Sequence, residues 1–169
     1  MELAFFINQM DKQAGTIQSL TLGISDERAH WKPDPETWSI LEVINHLYDE
    51  ECLDFRVRLD IILHHPDQPW PPINPTGWVS EHGYNQRDLA KSVEDFMKER
   101  RKSLSWLRGL DSPDWDASAT SPFGKMRAGD MLCAWAAHKL LHLRQLVELH
   151  WATTIQAAQP YQVSYAGES

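Results

Sequence analysis

The sequence predicts an all-α fold, a four-helix bundle built by one domain. Three observations carry that expectation. Four stretches of about twenty residues repeat apolar side chains every three or four positions. Alternating apolar-polar runs are almost absent, and Pro and Gly collect between the stretches. A length of 169 residues suits one domain with a real core. The bundle is expected over residues 1–151. Residues 152–169 form a polar C-terminal tail, loose or pinned by Tyr161 and Tyr165.

The first helix is read over 3–21, where Leu3, Phe6, Ile7, Met10, Ala14 and Ile17 form one stripe and Gly23 supplies a stop. Residues 25–29 suggest one short turn, and Trp31-Lys-Pro33-Asp-Pro35 breaks regular structure. The second helix has the clearest start. Ser39 caps it, Glu42 completes a capping box, and Trp38 and Val43 are placed for a hydrophobic staple. It runs to about Leu63. Residues 66–85 hold five prolines and no predicted regular structure. Twenty extended residues reach roughly 65 Å, against about 40 Å for the second helix. This crossover can therefore return along the bundle, and the second and third helices need not be antiparallel neighbours. The third helix covers about 86–108, with Leu89, Val93, Phe96, Arg100, Leu104 and Leu107 in register. A turn-rich stretch, 110–126, precedes the fourth helix, expected from Arg127 to Trp151.

A formal net charge of −8 argues against nucleic acid and against an anionic membrane surface. No apolar run approaches the ~18 residues of a membrane span. The first eight residues lack the basic region of a secretory signal. A cytoplasmic protein is expected, with Cys52 and Cys133 as reduced, buried thiols that pack instead of reacting. Four of the eight tryptophans, Trp31, Trp70, Trp78 and Trp115, fall in loops, which should therefore pack down.

The chemistry centres on the fourth helix. His138 and His142 are four apart and project from one face, so both imidazoles can hold one divalent ion; Gln145 lies on the same face. Eight histidines give about 0.4 such pairs by chance, so the pair alone is a weak motif. It also supplies only two ligands. His46, on the second turn of the second helix, lies near Glu50 in helical projection. Glu50 is either a fourth ligand or general base, or a surface carboxylate among Asp49, Glu50 and Glu51. Gln145 either hydrogen-bonds a ligand histidine or faces solvent. His64 and His65 suit the dipole at the end of their helix. His30, His82 and His150 have no evident partner.

Trp38-Ser-Ile-Leu-Glu-Val-Ile-Asn-His46, the preceding Trp31-Lys-Pro-Asp-Pro, and His138-x-x-x-His142-x-x-Gln145 come in this order. Together they resemble the DinB/YfiT-like superfamily over roughly residues 1–150. The resemblance implies a four-helix bundle with a long crossover loop between helices 2 and 3. It implies one divalent metal ion (Zn, Ni or Fe) held by His46, His138 and His142, and a homodimer. It also implies a small-molecule substrate, because the family includes transferases and isomerases that use a low-molecular-weight thiol as co-substrate. A three-imidazole ion keeps an open position, as catalytic sites do. The leading expectation is thus a thiol-dependent S-transferase. A metal-dependent hydrolase and a non-catalytic metal-binding stress-response protein are the alternatives. An acid beside the metal favours hydrolysis, and a dry apolar pocket favours thiol transfer. Within the crossover, Trp78, His82 and Tyr84 are the side chains placed to close over a ligand, unless the segment merely crosses the bundle.

Overall fold

The computed structural model describes residues 1–122 and 124–167; the last two residues of the predicted tail lie outside the described residues. Four long helical segments dominate. Helix α1 spans Leu3–Thr21, with a short α2 at Asp26–His30. The second long segment comprises α3 (Ile40–Asp49), a π-helical turn (Glu50–Asp54) and α4 (Phe55–His64). Helix α5 is a single turn at Trp78–Glu81. Helix α6 spans Leu89–Arg108 and α7 spans Ala128–Ala158, past the predicted end at Trp151.

Local chemistry explains the helix starts. Ser39 accepts from the Glu42 N–H while the Glu42 carboxylate accepts from the Ser39 N–H, the reciprocal capping box. Asp88 caps α6 by accepting from the Lys91 N–H. Gly23 takes a φ of +71° just beyond α1, a conformation that favours glycine.

The crossover makes the second and third long segments parallel. Asn85 reaches Glu42, Arg87 reaches Asn45, Arg100 meets Glu51 and Arg56 meets Ser103, pairs that ascend together along both segments. Helices α1 and α7 also run parallel, through Gln13 to Ala136 and His150 to Leu20. Helix α7 opposes the second segment, with His142 beside His46, Lys139 beside Glu50, and Trp135 stacked on Phe55.

Several expectations need correction. The second helix is not uniform: at Glu50–Asp54 it widens into a π turn, closed by the Phe55 N–H on the Glu50 carbonyl. The stretch 110–126 contains a hairpin, β1 (Ser118–Ser121) paired antiparallel with β2 (Gly124–Arg127). Its small and polar residues gave no alternating apolar signal. The crossover carries α5 and a 3₁₀ turn at Tyr84–Gln86. Tyr161 and Tyr165 are exposed and pin nothing. Cys133 is exposed and Cys52 half-buried, so neither is a fully buried thiol. The loop tryptophans do pack down: Trp78 is buried, and Trp70 and Trp115 lie against the core.

The core has two apolar halves. One gathers Met10, Phe55, Leu59, Leu104, Leu132 and Trp135; the other gathers Ile17, Ile44, Leu47, Phe96, Leu146 and Leu149. Between them every long segment contributes buried polar groups: Gln13 from α1, Glu50 and Glu51 from the π turn, Arg100 from α6, Lys139 and His142 from α7. Burying such groups costs several kcal/mol per ion unless partners compensate. These groups form a polar belt across the bundle between the two apolar halves.

Candidate metal centre

Two helices bring the site together. His46 sits on α3 and Glu50 opens the π turn one helical step later, both buried. His138 and His142 sit one turn apart on α7, which opposes the second segment at this level. One ligand atom from each of these four side chains falls within 4.8 Å of every other. Glu50 Oε1 lies 3.1 Å from His46 Nε2, 2.7 Å from His138 Nε2 and 3.9 Å from His142 Nε2. The Nε2 atoms of His138 and His142 are 3.0 Å apart. Ligands around a tetrahedral ion at 2.0–2.1 Å stand about 3.3 Å from one another. The donor set thus has the spacing of a coordination sphere, and imidazole with carboxylate suits Zn, Ni or Fe(II).

Gln145 Oε1 is 3.0 Å from His142 Nδ1. The amide oxygen accepts from Nδ1–H, so the His142 Nε2 lone pair faces the cluster. Burial above all, with Lys139 and His46 adding to it, pushes the His142 pKa down to about 4 against the pull of Glu50. The ring is therefore neutral at pH 7 and free to donate its lone pair. His46 Nδ1 is buried with no hydrogen-bond partner among the described residues, and the Trp38 ring packs edge-on at 4.7 Å. Phe55 lies 5.4 Å from His138. Aromatic rings therefore wall two sides of the cluster, and the half-exposed His138, at 34 %, marks its open side.

The acids of the second segment are not a solvated face. Asp49, Glu50 and Glu51 are all buried: Asp49, at the end of α3, meets the crossover, and Glu50 and Glu51, in the π turn, meet partners inside the bundle. Lys139 Nζ, itself 0 % exposed, donates to Glu50 Oε2 at 2.7 Å and lies 3.4 Å from Glu51 Oε1. Glu51 Oε1 also accepts from Trp135 Nε1 and meets Arg100 at 2.6 Å. Burial opposes ionisation of Glu50, but Lys139, His138 and His46 outweigh it and hold the carboxyl well below its usual range. Sequence reasoning missed Lys139, Glu51, Arg100 and Trp135. Two signals pointed to them: Arg100 interrupts the apolar stripe of its helix, and Lys139 shares the core face of Trp135 and His142.

The crossover residues meet α3 beside the cluster. Asp49 Oδ2 accepts from Tyr84 Oη and from His82 Nδ1, both at 2.6 Å, and Trp78 stacks on His82 at 5.7 Å. Thus His82 has a partner. So do His30, which bonds the Asp26 and Asn85 carbonyls, and His150, which accepts from Arg28. His64 pairs with Asp60. Burial pushes the Cys52 thiol up to about 11, which disfavours the thiolate.

The sequence model described as the DinB superfamily matches residues 9–146. Among solved structures, the chain is similar to YfiT from Bacillus subtilis, described as a probable metal-dependent hydrolase with an unusual four-helix bundle topology. The TM-score is 0.80 at 14 % identity, over 90 % of this chain and 88 % of that one, a likeness of fold. No curated protein matches the chain. Among the described residues no helix is long and apolar enough to cross a membrane.

Proposed function

The chain belongs to the DinB superfamily, and from that premise we propose that it is a metal-dependent enzyme acting on a small molecule. In this reading His46, His138 and His142 are the ligands and Glu50 stands beside them. The observation that carries it is the convergence of their four ligand atoms within 4.8 Å. A divalent ion held there supplies positive charge that polarises a substrate oxygen and acidifies water or a thiol. Glu50, ionised at neutral pH, accepts and orients the proton of the attacking nucleophile through Oε1, while Lys139 holds Oε2. Gln145 fixes the His142 ring.

Hydrolysis is the reaction this supports best, because a carboxylate lies at the ligand cluster and can orient water. Transfer of a small thiol is the second reading. The rings of Trp38 and Phe55 favour it, since they flank two of the histidines and exclude water from that side. A homodimer is the proposed assembly.

Elemental analysis of tag-free protein is expected to find about one divalent ion per chain, lost in His138→Ala/His142→Ala. Equal metal in both proteins overturns the site. The cobalt-loaded protein then separates the reactions. Ester or amide turnover without thiol supports hydrolysis. A sulfur-to-cobalt charge-transfer band with cysteine, glutathione or bacillithiol, absent in His142→Ala, moves the assignment to thiol transfer.

A further inference from the structure

Lys139 is an unexpected neighbour for a cation site. Its side chain is fully buried, one residue after His138, and its ammonium lies 2.7 Å from the carboxylate whose other oxygen faces three imidazoles. An ion among those imidazoles would stand within a few ångströms of this fixed positive charge and be repelled by it. A site built only to retain metal would do better with a neutral side chain there.

The charges of the belt explain its presence. Glu50 and Glu51 meet two buried cations, Lys139 and Arg100; of the other buried acids of this segment, Asp54 pairs with Arg58 and Asp49 is held by Tyr84 and His82. Two negative charges face two positive ones, and the three imidazoles are neutral ligands. The carboxylate at the cluster is therefore already paired, and little of its charge is left to offset a bound divalent ion in a largely buried region, where Coulomb interactions are strong. Without Lys139, Glu50 would cancel half of the ion's charge.

We propose that Lys139 is a specificity-determining residue that neutralises Glu50, so that the open position of the site selects an anionic group on its substrate or nucleophile. This rests on the metal-site reading above. Lys139 gives up some affinity for the ion and gains attraction for an anion such as a thiolate or carboxylate. It touches neither ion nor substrate, and acts through Glu50 and through its charge.

The test uses the full chain, stripped with a chelator and titrated with Co(II), followed by azide as the anionic probe and imidazole as a neutral one. Lys139→Met is expected to bind Co(II) at least tenfold more tightly and azide at least tenfold more weakly than the wild type, with imidazole affinity changed less than threefold. Glu50→Gln, which keeps the ammonium and removes its counter-charge, should do the reverse: weaker Co(II), tighter azide. The Lys139→Met/Glu50→Gln protein, neutral at both positions, should return azide affinity to within threefold of wild type. If Lys139 serves packing alone, its substitution weakens Co(II), azide and imidazole together and the double variant does not recover, which overturns the proposal. Should Lys139→Met fail to fold, the opposite shifts in Glu50→Gln and recovery in the double variant decide the question. Failure of wild-type protein to bind Co(II) at all sinks the metal-site reading itself, a separate result from equal azide affinity in all four proteins, which sinks only the role of Lys139.

Discussion

Gln145 Oε1 accepts a hydrogen bond from His142 Nδ1 at 3.0 Å, and that contact decides which nitrogen of the ring faces the other ligands. Without it the imidazole is free to change tautomer and turn. Gln145→Ala is expected to weaken Zn(II) binding by about 10–100-fold. Competition against a chromogenic chelator reads this directly. An unchanged affinity would show that packing alone orients the ring.

The capping box at the head of α3 fixes the phase of the helix that carries His46. The Ser39 side chain is buried, and its oxygen accepts from the Glu42 N–H. Ser39→Ala should lower stability by about 1 kcal/mol. Urea denaturation of the metal-free protein is the measurement, and a midpoint equal to wild type would place the helix start elsewhere.

Glu42 also makes stability depend on pH. Burial raises its carboxyl, but Lys32, the Ser39 N–H and Asn85 outweigh burial, so it titrates below the ordinary range. In the unfolded chain it takes up its proton near pH 4.3. The folded group holds on to its charge at lower pH. Its contribution is therefore complete above about pH 4.3 and is lost as pH falls through the folded value. Denaturation curves between about pH 6 and pH 3 should show a shallower acid loss in Glu42→Gln than in wild type. Identical slopes would mean that Glu42 contributes nothing to acid sensitivity.

The two cysteines should react very differently. Cys133 is exposed on α7, whereas Cys52 is half-buried with its thiol pushed up to about 11. A disulfide reagent at neutral pH is expected to modify one thiol rapidly, and Cys133→Ser should abolish that fast phase. Rapid labelling that survives the substitution would contradict the burial of Cys52.

Much of the fold was legible because helices announce themselves locally. Apolar residues at helical spacing, the Ser39–Glu42 box and the prolines of 66–85 are patterns within a few residues of one another. His138, His142 and Gln145 were legible for the same reason, since one helix fixes their relative directions. His46 joined them only through family resemblance, because nothing local ties residue 46 to residue 138.

The acidic run Asp49-Glu50-Glu51 reads first as a solvated face, and it proved to be buried. Its partners come from distant parts of the chain: Arg100 and Lys139 for Glu51, Lys139 for Glu50, Tyr84 and His82 for Asp49. A charge enters a core only where opposite charge and hydrogen bonds are waiting, and no periodicity records where those will come from. The sequence by itself determined the class of fold, the helix starts and one face of the candidate site. The tertiary structure decided the parallel pairing of the second and third helical segments, the π turn and the buried belt of Glu50, Lys139, Glu51 and Arg100. Helical phase is a property of adjacent residues, whereas charge compensation is a property of the whole packed bundle.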